Sequence, residues 1–462
     1  MKKIFGLLSV AGCALALASC GGNNKGNFVI PEEGFDPNTP VTIKFEHTMG
    51  QTIRDVLDEV IEEFNVLYPN VTVEHEQIGG YDDVRDQILK NLGTGAYPNM
   101  AYCYPDHVAL YNEAMITVAL DDLLVHKEYG LGGSALKFEG PVQEDFIKAF
   151  FDEGRVFGDE LCYTMPFLKS TEALFYNKTF FEQHNLTVPT TWDEVWATCA
   201  KIKEIDPNST PLGYDSEANM FITLCETYGY PYTSNKSFDF NTPEMRNLMK
   251  QFKENYDKGY FTTQELYGSY TNTLMTDTSL KSRAYMCIGS TAGASYQVNS
   301  DGAFETGVTA VPKAPNGKAK AISQGPSLVL LNSDNSQETL ATWIFMQFLL
   351  TPTVQQRFAE VTGYMPVTTT ATETEAYQAF LAKAAGNKQG IQALSTKQAL
   401  AQIDNYFTSA TFVGSSTARD QVSVLVVKIM SDKGLLKSEN PDAAIQKYFE
   451  DAIDECKYQS RL

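Results

Sequence analysis

The spacing of apolar residues between Val41 and Tyr104 restricts this chain to one class of fold. Val41, Ile43 and Phe45 alternate with Thr42, Lys44 and Glu46, the period of a strand with one buried face. The period then lengthens. Ile53, Leu57, Val60, Ile61 and Phe64 share one face of a helix predicted over 52–67, which Pro69-Asn70 stops. Val71, Val73 and His75 restore the alternation, a second helix is expected over 81–92, and a third strand over 99–104. Strand, helix, strand, helix, strand in that order requires a parallel sheet with helices on its faces. Ligands of such sheets sit beyond the carboxyl ends of the strands. His47 to Gln51, with Met49 among them, and Tyr104 to His107, with Asp106, are therefore the first cleft candidates. Asp106 has two readings, a ligand contact or the N-cap of the helix it precedes.

A chain of 462 residues exceeds what one core supports, so two lobes are expected. With 57 acidic and 36 basic residues the net charge is −21, which excludes a nucleic-acid partner, since phosphate neutralisation needs a basic surface. The first twenty residues set the compartment. Lys2 and Lys3 precede an apolar run, Ile4 to Leu17, too short to span a bilayer. It ends in Leu17-Ala18-Ser19-Cys20, which resembles a bacterial lipobox. Residues 1–20 thus read as a lipoprotein signal peptide and Cys20 as the lipidated residue, holding the protein outside the cytoplasm on a membrane. Residues 21–40, beginning GGNNKGN, read as a flexible tether. Cys103, Cys162, Cys199, Cys225, Cys287 and Cys456 form no CxxC pair, and those in apolar runs read as buried thiols. The five histidines show no metal-ligand spacing and no GxxxxGK loop is present, so neither metal nor cofactor is expected.

Residues 163–196 read YTMPFLKSTEALFYNKTFFEQHNLTVPTTWDEVW. Pro166 breaks the apolar run 161–168 and belongs where a strand leaves a sheet. Ser170, Thr171 and Glu172 follow where the backbone must turn. A strand is expected over 173–176 and a helix from Lys178, while Thr191 and Glu194 form a capping box for a helix starting at Trp192.

In the order Pro-Phe, Ser-Thr, Tyr-Asn-Lys and Pro-x-Thr-Trp-Asp-Glu, this stretch resembles the inter-lobe crossing of bacterial extracellular solute-binding proteins, the receptors of ABC importers. The similarity is to the branch that takes up sugars and glycerol-3-phosphate. Thr362-Gly363-Tyr364-Met365-Pro366 is similar to that branch's Thr-Gly-Tyr-Leu-Pro turn, with Met365 in place of Leu. The resemblance implies an α/β, periplasmic-binding-protein-like (type II) fold, two α/β lobes joined by a multi-strand hinge around a ligand cleft. It divides the chain into 41–168 plus 310–358 and 169–309 plus 359–462, with crossings near 166–172, over 306–311 and just before the turn at Gly363.

The resemblance also implies ligand contacts from Ser170, Ser290, Gly325 and Tyr364, with Thr171 and Glu172 beside them. Ser290 lies in Gly289-Ser290-Thr291-Ala292-Gly293, either a plain turn or one offering N–H groups to an oxygen-rich ligand. Glu172 is either a contact or a surface carboxylate. The glycerol-phosphate receptors of the branch carry two tryptophans after the turn matching Gly213-Tyr214. Here 215–221 reads DSEANMF, leaving Phe221 as the stacking surface. Their C-terminal arginine aligns with Phe412, and Arg419 stands seven positions further on. These departures favour an uncharged carbohydrate or polyol over glycerol-3-phosphate. The reading is a monomeric receptor that hands its ligand unaltered to permease subunits with their ATPase. Two rivals are a surface glycosidase using Asp106 and Glu172 as acid and base, and a structural lipoprotein without a small ligand.

Overall fold

Strand pairing separates the chain into two sheets. The computed structural model describes residues 28–234, 236–384 and 386–460; the segment read as a signal peptide, Cys20 with its expected lipid, and the start of the expected tether lie outside the described residues. In the first sheet the strands run in the order Val71–Gln77, Val41–His47, Met100–Cys103, Ser327–Leu330, Thr164–Pro166. The first three are parallel, with Val41 opposite Val71 and Phe45 opposite Met100, as the strand–helix alternation requires. Ser327–Leu330 runs against both its neighbours. Pro166 ends the edge strand, where its missing N–H breaks no ladder.

The second sheet has the order Thr306–Ala310, Glu172–Asn177, Met286–Ser290, Leu212–Tyr214, Phe261–Thr263. Glu172–Asn177 is antiparallel to both neighbours and the remaining pairs are parallel. Each sheet has its own core. Phe45, Phe64, Trp343, Phe345 and Phe358 fill the first, and Trp192, Phe252, Ile288, Leu425 and Phe449 the second. The helix Ser336–Leu349 is buried almost all round, so its aromatic residues are core. The capping box at Thr191 forms as its spacing dictates, with the Glu194 N–H donating to Thr191 and the Glu194 carboxylate accepting in return. All six described cysteines are buried and unpaired.

Three stretches of backbone join the two sheets side by side. Lys169 exchanges N–H···O bonds with Met365 at 3.2 and 2.7 Å, and Ser170 does so with Gln324 at 2.9 Å each way. The second crossing expected over 306–311 is thus displaced. Thr306–Ala310 completes the second sheet on Glu172–Asn177, and the chain passes between sheets at 322–326 instead. Lys169 is wholly buried here; its Nζ donates to Glu153 at 2.8 Å and to Ser327 at 3.0 Å.

Two further helices have local causes. The threonine run 368–374 forms a helix, Thr369–Glu373, because Thr368 caps it and Asp145 accepts from the Thr370 N–H at 2.8 Å. The helix Lys388–Ala401 escapes an apolar-stripe reading because it buries Gly390, Gln392, Ser395 and Thr396 alongside Ile391 and Ala399.

Candidate ligand cavity

The carboxyl end of Met100–Cys103 leads directly into the site. Tyr104 follows the strand, and Pro105 occupies the first position of the helix Pro105–Glu113, where its missing N–H is no loss. Asp106 lies in the first turn. The N-cap is Tyr104, so the capping alternative for Asp106 is not realised, and its carboxylate instead benefits from the positive end of the helix dipole. Tyr104 stacks on Tyr81 with ring centres 4.3 Å apart, and Tyr81 lies 6.4 Å from Tyr102. Tyr364 lies beside Tyr81 in the same group. Burial raises the phenols of Tyr81, Tyr102 and Tyr364 above their usual value, which keeps them neutral.

Between the two halves lies a cavity of about 600 Å³, its open mouth included. Tyr104, Asp106 and Glu153 line it from the first half. Ser323 and Gln324 come from the crossing, and Tyr232, Thr411 and Arg419 from the second half. Glu153 accepts from Lys169 and, through its other oxygen, from Ser323 at 2.7 Å. Three polar atoms on this wall are buried without a partner: Asp106 Oδ2, Gln324 Oε1 and Tyr232 OH. A buried polar group with no partner is costly, and such groups mark places where something else bonds. Two of these atoms only accept, and their residues line the cavity from different parts of the fold.

Behind the wall, Arg419 donates to Asn219 Oδ1. Asn219 Nδ2 donates to Glu172 Oε1 at 2.9 Å, and Tyr214 donates to Glu172 Oε2 at 2.6 Å. Burial pushes the Glu172 carboxyl up to about 7, with the two hydrogen bonds and the Arg419 charge holding it back.

The residues singled out from the sequence divide into groups. Asp106 is on the cavity wall, and Tyr364 belongs to the tyrosine group beside Tyr104. Ser170 and Ser290 meet with their hydroxyls 3.5 Å apart, and Ser290 also caps the short helix Thr291–Tyr296. The others sit behind the surface. Thr171 is buried and donates to the Ile322 carbonyl at 2.8 Å, as a fastener of the crossing. Glu172 is neither exposed nor available, since both its oxygens are engaged. Gly325 has φ +88°, and a Cβ there would stand 2.1 Å from the Leu168 carbonyl oxygen, so its glycine serves backbone approach. Met49 is in the first core. Phe221 is in the second, against Phe240 and Phe449, with no face left for stacking on a ligand.

Glu153, Tyr232, Ser323, Gln324 and Thr411 carry no local pattern that would have singled them out. Arg419 was visible near the expected arginine position, and one turn of the helix Ser415–Ser431 carries it to the cavity. Phe412 instead packs on Phe238 at 5.7 Å.

This geometry has counterparts among known proteins. The sn-glycerol-3-phosphate-binding periplasmic protein UgpB of Escherichia coli K12 is 24% identical over 371 residues, covering 75% of this chain and 78% of that one. Among solved structures, UgpB from Mycobacterium tuberculosis in complex with glycerophosphocholine superposes with a TM-score of 0.71 at 17% identity, over 89% of this chain and 98% of that one. The maltose/maltodextrin-binding domain MalE of Bdellovibrio bacteriovorus, bound to maltotriose, gives 0.67 at 18% identity, over 91% and 100%. The two-sheet arrangement is thus the maltose-binding-protein-like, type II periplasmic binding fold. The profile of one family, described as bacterial extracellular solute-binding protein, matches residues 59–385. With that match covering strands of both sheets and all three crossing segments, the chain belongs to the bacterial extracellular solute-binding proteins.

Proposed function

We propose that this protein is the lipid-anchored receptor of an ABC importer, and that it binds a hydroxylated small molecule between two hinged lobes. The single observation that carries the reading is the set of unpartnered polar atoms on the cavity wall. Asp106 Oδ2 and Gln324 Oε1 accept only, and Tyr232 OH can do either. A sugar or polyol presents hydroxyl donors to such a set, while Tyr104 offers a ring to its C–H surface. The lobes follow the two sheets and close on the three strand segments at 168–171, 322–326 and 364–366. Ligand stabilises the closed form by its differential affinity, and that form docks on the permease.

Arg419 supports a second ligand class, a glycerol-phosphate or glycerophosphodiester, since a guanidinium at the cavity is the charge-assisted donor an oxyanion requires. The names of the Escherichia coli relative and the Mycobacterium tuberculosis complex point the same way. The glycosidase alternative has little support, because the proposed partner of Asp106, Glu172, has no free oxygen.

Calorimetric titration with saccharides, polyols and their phosphate esters tests the proposal, with chromatography of the recovered solute. Saturable binding with the solute unchanged is the expected result. Asp106→Ala should weaken it by about 10- to 100-fold, the worth of a hydrogen bond to a charged group. Turnover of any saccharide, or no binding across the screen, would overturn it.

A further inference from the structure

Arg419 brings positive charge to the cavity, and it does not stand alone. Its guanidinium donates to Asn219 Oδ1. The amide of Asn219 is fixed in that sense from its other end, where Nδ2 donates to Glu172. Glu172 is in turn held by the Tyr214 hydroxyl. Glu172 and Asn219 are each 2% exposed and neither lines the cavity. A carboxyl group inside the second half is therefore linked to a guanidinium at the ligand surface by one amide.

We infer that Glu172 and Asn219 are positioning residues through which the proton state of Glu172 sets the charge Arg419 offers, so that an oxyanion ligand binds more tightly when Glu172 is neutral. The inference rests on the cavity being the ligand site. An ionised Glu172 offsets part of the Arg419 charge across the amide, and a bound anion adds like-charge repulsion. Protonation removes both effects. With its carboxyl near 7, Glu172 changes state within the range a cell envelope experiences. Asp215, at the end of Leu212–Tyr214 one strand removed, pushes Glu172 in the same direction. Asp82, Asp106 and Asp420 face the Arg419 side. Asp82 is held low by its bond to His107, whereas burial pushes Asp420 up. Replacing Glu172 alone separates its contribution from theirs. Linkage is reciprocal: binding an anion raises the affinity of Glu172 for a proton, which is taken from the buffer. An uncharged saccharide leaves the pair unaffected.

The test is calorimetric titration of the full chain between pH 5.5 and 8.5, in two buffers of different ionisation enthalpy. The probes are glycerophosphoglycerol, a phosphodiester of constant charge over this range, and maltose. For the phosphodiester, Kd should rise about fivefold from pH 5.5 to 8.5, at the lower end of typical coupling, with proton uptake near pH 7. Any maltose binding should be flat across the range. Glu172→Gln should hold the low-pH phosphodiester affinity throughout and abolish the uptake. Asn219→Ala should weaken the phosphodiester more than maltose. If a variant fails to fold, the wild-type profile and proton uptake still decide. A flat wild-type phosphodiester profile overturns the inference, as does a slope that survives Glu172→Gln, or maltose binding without phosphodiester binding. Each of these leaves the cavity assignment standing. Binding of neither probe overturns the inference, and the failure of the wider solute screen as well overturns the proposed function.

Discussion

His47 shows how a single side chain outside the cavity lining can carry a pH dependence. It is wholly buried, its Nδ1 accepts from the Met49 N–H at 3.2 Å, and its Nε2 meets His75 Nδ1 at 2.9 Å. His75 Nε2 continues to Asp58 at 2.8 Å. Burial first, then His75 and Arg54, depress His47 from 6.5 to about 3. Above pH 6.5 the folded and unfolded states are both neutral at this group, so its contribution is complete. Below that, only the unfolded chain takes the proton, and stability should fall by about 1.4 kcal/mol per pH unit until the folded group titrates near 3. Urea unfolding of wild type and His47→Gln at pH 7, 6 and 5 checks this, with the variant expected to lose that part of the slope. Lys169 makes a second prediction at the same scale. Lys169→Met leaves the Glu153 carboxylate buried beside Ser323 without its cation, which should cost about 3–5 kcal/mol. A double variant with Glu153→Leu should recover much of that loss.

Among elements, the crossing and the cleft mouth matter most. Gly325 brings its strand segment against Leu168, and Gly325→Ala forces both a positive φ on a Cβ-bearing residue and a contact with the Leu168 carbonyl oxygen. Unfolding should be easier by about 1–3 kcal/mol, the cost of such backbone strain, with ligand affinity falling alongside. At the mouth, Arg85 on the helix Tyr81–Asn91 donates to Ser416 on the helix Ser415–Ser431 at 2.8 Å, joining the two halves directly. Arg85→Ala should shift the ligand-free protein towards the open form. Small-angle scattering would record a larger radius of gyration that returns to the wild-type value on saturation.

For the whole molecule, the proposed lipid anchor should be separable from solute binding. Among the described residues no helix is long and apolar enough to cross a membrane. If Cys20 carries the lipid, Cys20→Ser should move the protein from the membrane pellet to the soluble fraction without changing solute affinity. Cell fractionation and titration of the released protein check the two halves of that statement.

The alternation over 41–104 determined the parallel half of the first sheet, because period-2 and period-3.6 burial are written locally and each element satisfies its own backbone bonds. The capping box at Thr191, the edge position of Pro166 and the candidacy of Asp106 were legible for the same reason: each depends on residues near in sequence. Tertiary structure decided what depends on residues far apart. Phe221 and Met49 could each have faced a cleft, and only packing against distant helices made them core. Glu172 became a support once Tyr214 and Asn219 closed on both its oxygens. Tyr232, Gln324 and Arg419 became cavity residues through the meeting of segments far apart in the chain, from Tyr104 to Arg419, and no short-range pattern encodes that meeting.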